Sequence, residues 1–376
     1  MQAEVEKKKA FKDWFDRGAA RTLAAQVRRA WPSFDVAAFE RRATAGLSKL
    51  EFKGRVQQFS DALAAGLPDD VPRALGVLTD SLPEVRPDAE NVTDGFLQWP
   101  IGQFIADHGL PHFEASMHAM TELTQRLTSE FAVRPFVEHR PAETFARLLS
   151  LTRHDNLHVR RWCSEGVRPR LPWGTVVRAL VEDPSPIWPI LEALKNDPER
   201  YVQRSVANTL GDIAKDHPED AVRWAEACVR QGGPGQLWIA KHGLRGPIKA
   251  GHRGALAVIG FQPPKRVTAT LRATPKTVFV GESVELTAEL TTTHRSAQAL
   301  LVDYVVHYVR KAKTSGAKTF KWTTLELPAE GTTTLTKRHN MKVTTIRALY
   351  PGRHRVELLV GGEVLAETAF TLKPAQ

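Results

Sequence analysis

At 376 residues the chain has room for two to three domains and a sizeable core. Its 42% hydrophobic and 25% charged content excludes a disordered class, and two cysteines without CxxC or His-rich context exclude a disulfide framework and a zinc site. A formal charge of +10 and a pI near 9.7 favour a polyanionic partner.

The N-terminal MQAEVEKKKAFKD lacks an apolar h-region, and no run approaches 18 apolar residues. The expectation is a cytoplasmic protein with no membrane contact. Residues 1–250 read as helical almost throughout: Ala10–Ala30, Val36–Leu47, Gly54–Ala64, Val71–Leu82 and Gly95–Asp107, with Pro32, Pro68, Pro72 and Pro83 marking turns. A longer helix is predicted over Ser116–Ala132, with Met120, Leu123, Leu127 and Phe131 as its core stripe. Arg126, Glu130 and Arg134 stand at i, i+4, i+8 near the edge of that stripe.

The next stretch, HDNLHVRRWCSEGVRPRLPWG (His154–Gly174), reads as a loop, a short helix and a Pro-broken exit. Asp155 or Asn156 caps the helix, and Pro169 and Pro172 end it. Val159, Cys163 and Val167 make the buried stripe. Arg161, Glu165 and Arg168 lie roughly 180–240° round the wheel, which places them on an open face. Read blandly, they form solvated helix salt bridges worth ~0.2–0.5 kcal/mol each. The motif recurs 43 residues on, with Val159 aligned to Val202, Arg161 to Arg204 and Glu165 to Asn208. A period of about 40–47 residues is that of HEAT or armadillo repeats, so Arg204, Asn208 and Asp212 extend the Arg/acid stripe along one surface of a solenoid. A basic stretch, Lys241–Gly254, follows.

Pro263 and Pro264 mark a boundary, after which the period becomes 2. Regularly spaced strands and a Gly361-Gly362 hairpin predict an antiparallel Ig-like β-sandwich. From Arg266 to Gln376, 16 Lys and Arg face 9 Asp and Glu, so the loops Arg310–Lys318 and Lys337–Lys342 either approach phosphates or are the ordinary solvated surface of a charged sandwich. The fold class is therefore multidomain α + β: an all-α HEAT-like domain over 1–260, a linker over 261–266 and a sandwich over 267–376.

A basic solenoid surface holds a nucleic-acid backbone, here through Arg161, Arg168 and Arg204, with Arg134, Lys241 and Arg245 assigned to the same set. Carboxylates on that surface repel phosphates, so they need a positive charge to face. Cleavage of an N-glycosidic bond supplies one, because the sugar passes through an oxocarbenium-like state. Glu130, Glu165 and Asp212 suit its stabilisation or the activation of a water, and Trp173 suits stacking on the sugar or a cationic base, or else plugs the core after Pro172.

The helical region resembles the AlkC type of DNA alkylation-repair glycosylase. The likeness spans most of residues 8–255 and is carried by LEFKGR (Leu50–Arg55), His108–Phe136, HVRRWCSEGVRPRLPWG (His158–Gly174) and VANTLGDIAKDHP (Val206–Pro218). It implies a monofunctional glycosylase that removes cationic N3-methyladenine and N3-methylcytosine from duplex DNA without fully flipping the base, using no cofactor or metal. It implies Glu130, Glu165, Trp173 and Asp212 as the active-site set, Arg161 and Arg168 as grips on the backbone, and the Ig-like domain as a clamp. The partner is double-stranded DNA with alkylated bases, and the protein a monomer. A non-catalytic nucleic-acid-binding HEAT protein and a protein-interaction scaffold are the alternatives from other classes.

Overall fold

Periodic apolar stripes and acidic caps organise the N-terminal two-thirds of the chain. In the computed structural model, which describes residues 10–85, 95–311, 315–343 and 348–375, this part folds into helices. They are α1 (Arg17–Ala30), α2 (Val36–Ala43), α3 (Phe52–Ala64), α4 (Val71–Ser81), α5 (Trp99–His108), α6 (Phe113–Thr124), α7 (Arg134–His139) and α8 (Pro141–Leu151). There follow α9 (Leu157–Glu165), α10 (Arg178–Glu182), α11 (Trp188–Leu194) and α12 (Arg200–Ile213). Last come α13 (Pro218–Arg230), α14 (Pro234–Gly243), α15 (Arg245–Lys249) and α16 (Arg253–Val258). Asp16, Asp35 and Asp70 each accept the backbone N–H three residues on, the N-cap geometry that starts α1, α2 and α4. The cap at Asp16 also divides the helix expected over Ala10–Ala30 into a 3-10 turn (Phe11–Trp14) and α1.

By compactness the chain divides into Met1–Asp212 and Ile213–Gln376. Within the first unit each helix packs on near neighbours in sequence: α1 on α2 and α4, α2 on α3, α3 on α5, α4 on α6, and α9 on α6, α8 and α11. The stripes aligned by the 43-residue offset, Val159, Cys163 and Val167 on one side and Val202, Val206 and Leu210 on the other, are all fully buried.

The helix expected over Ser116–Ala132 ends early, at Thr124. Ser129 is the reason: its N–H donates to Thr124 Oγ1 (3.2 Å) and its hydroxyl to Met120 O (2.8 Å), so side chains take over backbone partners that a continued helix would use. Glu130 therefore sits in a turn before α7, and the i, i+4, i+8 relation of Arg126, Glu130 and Arg134 does not exist.

In the second unit α13 packs on α14 and α16. The sandwich then comprises β1 (Val267–Thr274), β2 (Thr277–Phe279), β3 (Ser283–Thr292), β4 (Gln298–Val309), β5 (Ser315–Leu327), β6 (Thr332–Asn340), β7 (Gly352–Val360) and β8 (Glu363–Lys373). Sheet order is β1-β3-β6 and β2-β8-β7-β4-β5, antiparallel apart from β2 on β8. Alternate residues such as Val284, Leu286, Ala288 and Leu290 point inward onto Val302, Val306, Val356 and Leu358. Gly361 and Gly362, at φ 56° and 83°, form the expected two-residue turn between β7 and β8. Lys337–Asn340 belong to β6 rather than to a loop. His339 within that segment is buried and bonded to the hydroxyls of Tyr304 (3.0 Å) and Tyr308 (2.9 Å). The other expected basic loop, Arg310–Lys318, lies partly outside the described residues. The hairpin turn approaches the α15–α16 junction closely, and a Cβ on Gly251 would meet Gly362 O at 2.6 Å.

A buried carboxylate–arginine cluster beside an aromatic pocket

Asn156 caps α9 by accepting the His158 N–H (2.8 Å), and α9 stops at Glu165, before either proline is reached. Ser164 and Thr209 form a hydroxyl seam between α9 and α12: Ser164 Oγ donates to Ser205 Oγ (2.6 Å), and Thr209 Oγ1 to Ser164 O (3.0 Å). Small polar residues at this seam let the two helices approach. That approach brings Asp212, at the end of α12, to Arg168.

The face expected to be open is closed. Glu165 is 4% exposed, Arg168 7%, Asp212 3% and Glu130 9%. A helical wheel places Arg161, Glu165 and Arg168 away from their own core stripe, but α12 and the Thr128–Val133 turn cover that second face. Arg161 Nη1 donates to Glu130 Oε2 (2.9 Å) and Thr128 Oγ1 (3.2 Å), and its Nη2 lies 3.7 Å from Glu165 Oε1. Arg168 Nη1 donates to Glu165 Oε1 (2.6 Å) and its Nε to Asp212 Oδ2 (2.8 Å). Two guanidiniums thus tie three carboxylates into one chain, Glu130–Arg161–Glu165–Arg168–Asp212. These are not solvated pairs of a few tenths of a kcal/mol. Breaking a buried pair costs several kcal/mol.

Burial alone would weaken the charge on Arg161 and Arg168. Glu165 and Glu130 outweigh it at Arg161, and Glu165 and Asp212 at Arg168, so both stay protonated more firmly than a free guanidinium. The Arg161 guanidinium also sits 5.0 Å over the Tyr201 ring, whose hydroxyl burial pushes up. Glu130 and Glu165 each bond through one carboxylate oxygen only among the described residues, Oε2 and Oε1 respectively.

The arginines expected to grip DNA separate into two groups. Arg134, 3% exposed, donates to the carbonyls of Gly166 (3.1 Å), Arg168 (2.6 Å) and Thr175, so it braces the chain after α9. Burial pushes it down to about 10, still charged at neutral pH. With Arg161 and Arg168 spent on the acids, the exposed members are Arg204, Lys241 and Arg245.

Trp173 is not a core plug. It is 55% exposed and holds φ +66°, a left-handed conformation that costs a bulky residue on the order of 1–3 kcal/mol. Its loop is tied at the base by Val177 N–H to Pro169 O (3.2 Å) and at the tip by Lys53 Nζ to Trp173 O (2.6 Å). The ring meets Phe11 edge-on at 5.7 Å and Phe52 at 6.2 Å. A pocket of about 320 Å³ opens between Trp173, Phe52, Trp99, Phe131 and Arg134. Of its aromatic residues, Trp173 was expected at the site and Phe131 in a core stripe, whereas Phe52 and Trp99, together with Thr128 and Tyr201 in the cluster, escaped sequence reasoning. Tyr201 had one signal, its place directly before the repeat's aligned Val202. Among the described residues no group of three or more His, Cys, Asp or Glu is placed to hold a metal ion.

A family model described as the C-terminal Ig-like domain of the uncharacterised protein YhaZ matches residues 267–374. The uncharacterized protein YhaZ of Bacillus subtilis is 34% identical over 344 residues, which cover 91% of this chain and 93% of that protein. Among solved structures, the Pseudomonas fluorescens alkylpurine DNA glycosylase AlkC, bound to DNA containing an abasic site analog, matches with a TM-score of 0.85. It is 34% identical, and the match covers 97% of this chain and all of that one.

Proposed function

The chain belongs to the family of Bacillus subtilis YhaZ and Pseudomonas fluorescens AlkC, and from that premise we propose that it is a DNA glycosylase of alkylation repair. Its substrates are cationic N3-methyladenine and N3-methylcytosine in duplex DNA, cleaved by hydrolysis alone, by a monomer, without full extrusion of the base. The observation that carries this reading is the buried cluster itself, in which Arg161 and Arg168 fix three acids, Glu130, Glu165 and Asp212, in one chain. A pure phosphate binder gains nothing from such a set. A site that must face a developing cation does.

The reaction follows from the charges. The C1′–N bond breaks with its electron pair going to the base, which leaves neutral, while positive charge builds on the sugar. At about 4 Å and an effective dielectric near 20, one carboxylate charge stabilises that cation by roughly 4 kcal/mol, about 10³ in rate. A water adds its oxygen to C1′ and gives its proton to a carboxylate, for which Glu165 and Glu130 each offer an oxygen outside the ion-pair chain. The arginines hold the acids in place before substrate arrives, so little reorganisation is needed during the reaction. Trp173, exposed on its tied loop, orients the lesion. Arg204, Lys241 and Arg245 meet the phosphate backbone, and Arg161 and Arg168 act through the acids.

Release of N3-methylated bases from methylated duplex DNA tests this. Glu165→Gln and Asp212→Asn should each lower release on the order of 10²–10³-fold while DNA binding survives. No release from the wild type with binding intact would leave a non-catalytic DNA-binding protein. Full activity in Glu165→Gln would remove that acid from the chemistry.

A further inference from the structure

The two acids that each offer a free oxygen are held in different ways. Glu165 is the last residue of α9, and the helix sets the direction in which its side chain leaves the backbone. Glu130 lies in the turn between α6 and α7, so no regular element aims it. Its carboxylate depends on side-chain partners, and among the described residues these reach Oε2 alone.

One partner is Arg161, which Glu165 also attracts at 3.7 Å. The other is Thr128. Its Oγ1 donates to Glu130 Oε2 (2.9 Å) and accepts from the Glu130 N–H (3.3 Å) and from Arg161 Nη1 (3.2 Å). A hydroxyl has one proton and two lone pairs, and all three are engaged here. The direction of the proton is fixed, because both N–H groups can only donate and an ionised carboxylate can only accept. Thr128 Oγ1, Glu130 Oε2 and Arg161 Nη1 thus close a triangle, and the Tyr201 ring backs the guanidinium from one face, 5.0 Å away. Three consecutive residues build this corner. Ser129 ends the helix by taking over Met120 O and Thr124 Oγ1, and the hydroxyls on either side of the break leave Thr128 to grip Glu130, two residues on.

Without the Thr128 hydroxyl, Glu130 keeps one tie. Its carboxylate is then free to turn about its last side-chain bond, and Arg161 is free to move toward Glu165. Either movement takes Glu130 Oε1 out of a fixed direction. We propose that Thr128 is a positioning residue for base excision: it pins the Oε2 edge of Glu130 and thereby presents Oε1 to the substrate. The inference rests on the glycosylase reading above and adds to it a residue that acts only through Glu130.

The test is single-turnover release of N3-methylated bases from methylated duplex DNA, with DNA affinity measured beside it and the fold checked by circular dichroism. Thr128→Val removes the hydroxyl at nearly constant shape and should slow release about ten-fold, less than the loss of an acid, with DNA affinity held within about two-fold. Thr128→Ala should match it. Thr128→Ser keeps the hydroxyl and should recover the rate to within about three-fold of wild type. A double-mutant cycle with Glu130→Gln separates positioning from general weakening of the site. Because Thr128 acts through Glu130, adding Thr128→Val to Glu130→Gln should slow release by no more than about two-fold further. Losses that multiply, a Thr128→Val or Glu130→Gln enzyme at the wild-type rate, a Thr128→Ser enzyme no faster than Thr128→Val, or a loss confined to DNA affinity overturns the proposal. Any of these in a protein whose wild type releases base leaves the glycosylase standing. A wild type that releases no base overturns both.

Discussion

Arg168→Met keeps an apolar stem of similar length and deletes the guanidinium that holds Glu165 and Asp212 together. The three side chains are only 9%, 6% and 4% exposed, so solvent screening does little to soften the loss. Two carboxylates are left facing each other without their shared cation, and breaking a buried pair in this way costs about 3–5 kcal/mol. In a unit the size of Met1–Asp212, each kcal/mol shifts the melting temperature by roughly 2–4 °C, so the midpoint should fall by about 6–20 °C. Adding Glu165→Gln should return about 1–2 kcal/mol, because the amide removes one of the opposed charges and can donate to Asp212. Thermal and urea unfolding at neutral pH, each at low and high salt, give both numbers. A loss below about 1 kcal/mol, or one that shrinks steeply as salt rises, would mean that the cluster behaves as a surface pair and that the burial argument fails.

Trp173→Gly should leave the unfolding free energy within about 1 kcal/mol of wild type, since glycine accepts φ +66° freely and the lost ring is mostly exposed, while base release drops about ten-fold or more. A collapse in stability would instead make Trp173 a structural residue. Gly251→Ala should destabilise the second unit by at least about 2 kcal/mol, because φ is +77° and a Cβ meets Gly362 O at 2.6 Å, and an unchanged chemical-denaturation midpoint would contradict this. Burial raises the Asp303 carboxyl from 3.8 to about 6, against the pull of Lys321 and Lys249. The folded state therefore holds that proton more tightly than the unfolded state. Its favourable contribution is complete below about pH 4 and disappears as pH rises through about 6. Asp303→Asn should accordingly gain stability over wild type as pH climbs from 4.5 to 7.5, and melting curves whose difference stays flat across that range would refute the shift.

Local periodicity explains how much of this molecule its sequence declares. The stripes of α9 and α12 were readable because both repeat every three to four residues, and the sandwich because its alternation begins sharply after Arg266. Glu130, Glu165, Trp173 and Asp212 were picked out by motif, but their surroundings were not. A wheel assigns one buried face to each helix, whereas α9 has two, the second covered by a helix and a turn that begin about 40 residues later and 30 residues earlier. The turn itself was hidden because Met120, Leu123, Leu127 and Phe131 keep helical spacing straight through the point where Thr124 and Ser129 capture the backbone. The aromatic pocket had no linear trace at all, since Phe52, Trp99, Phe131 and Trp173 come from four separate stretches.

The ion-pair chain also constrains how this family can drift. An active-site acid that stands alone on a surface can be discarded as soon as its chemistry is no longer needed. Glu165 is harder to discard, because its loss takes a partner from both Arg161 and Arg168, and loss of those in turn takes one from Glu130 and one from Asp212. A descendant freed from selection for base excision would still be held to all five residues by the need to fold, or would have to exchange them nearly together for an apolar set. Retention of the three acids in a distant relative is thus a record of inherited architecture first. Only when a relative keeps the acids together with an open aromatic pocket and the exposed tryptophan, neither of which the core requires, does the sequence testify to chemistry.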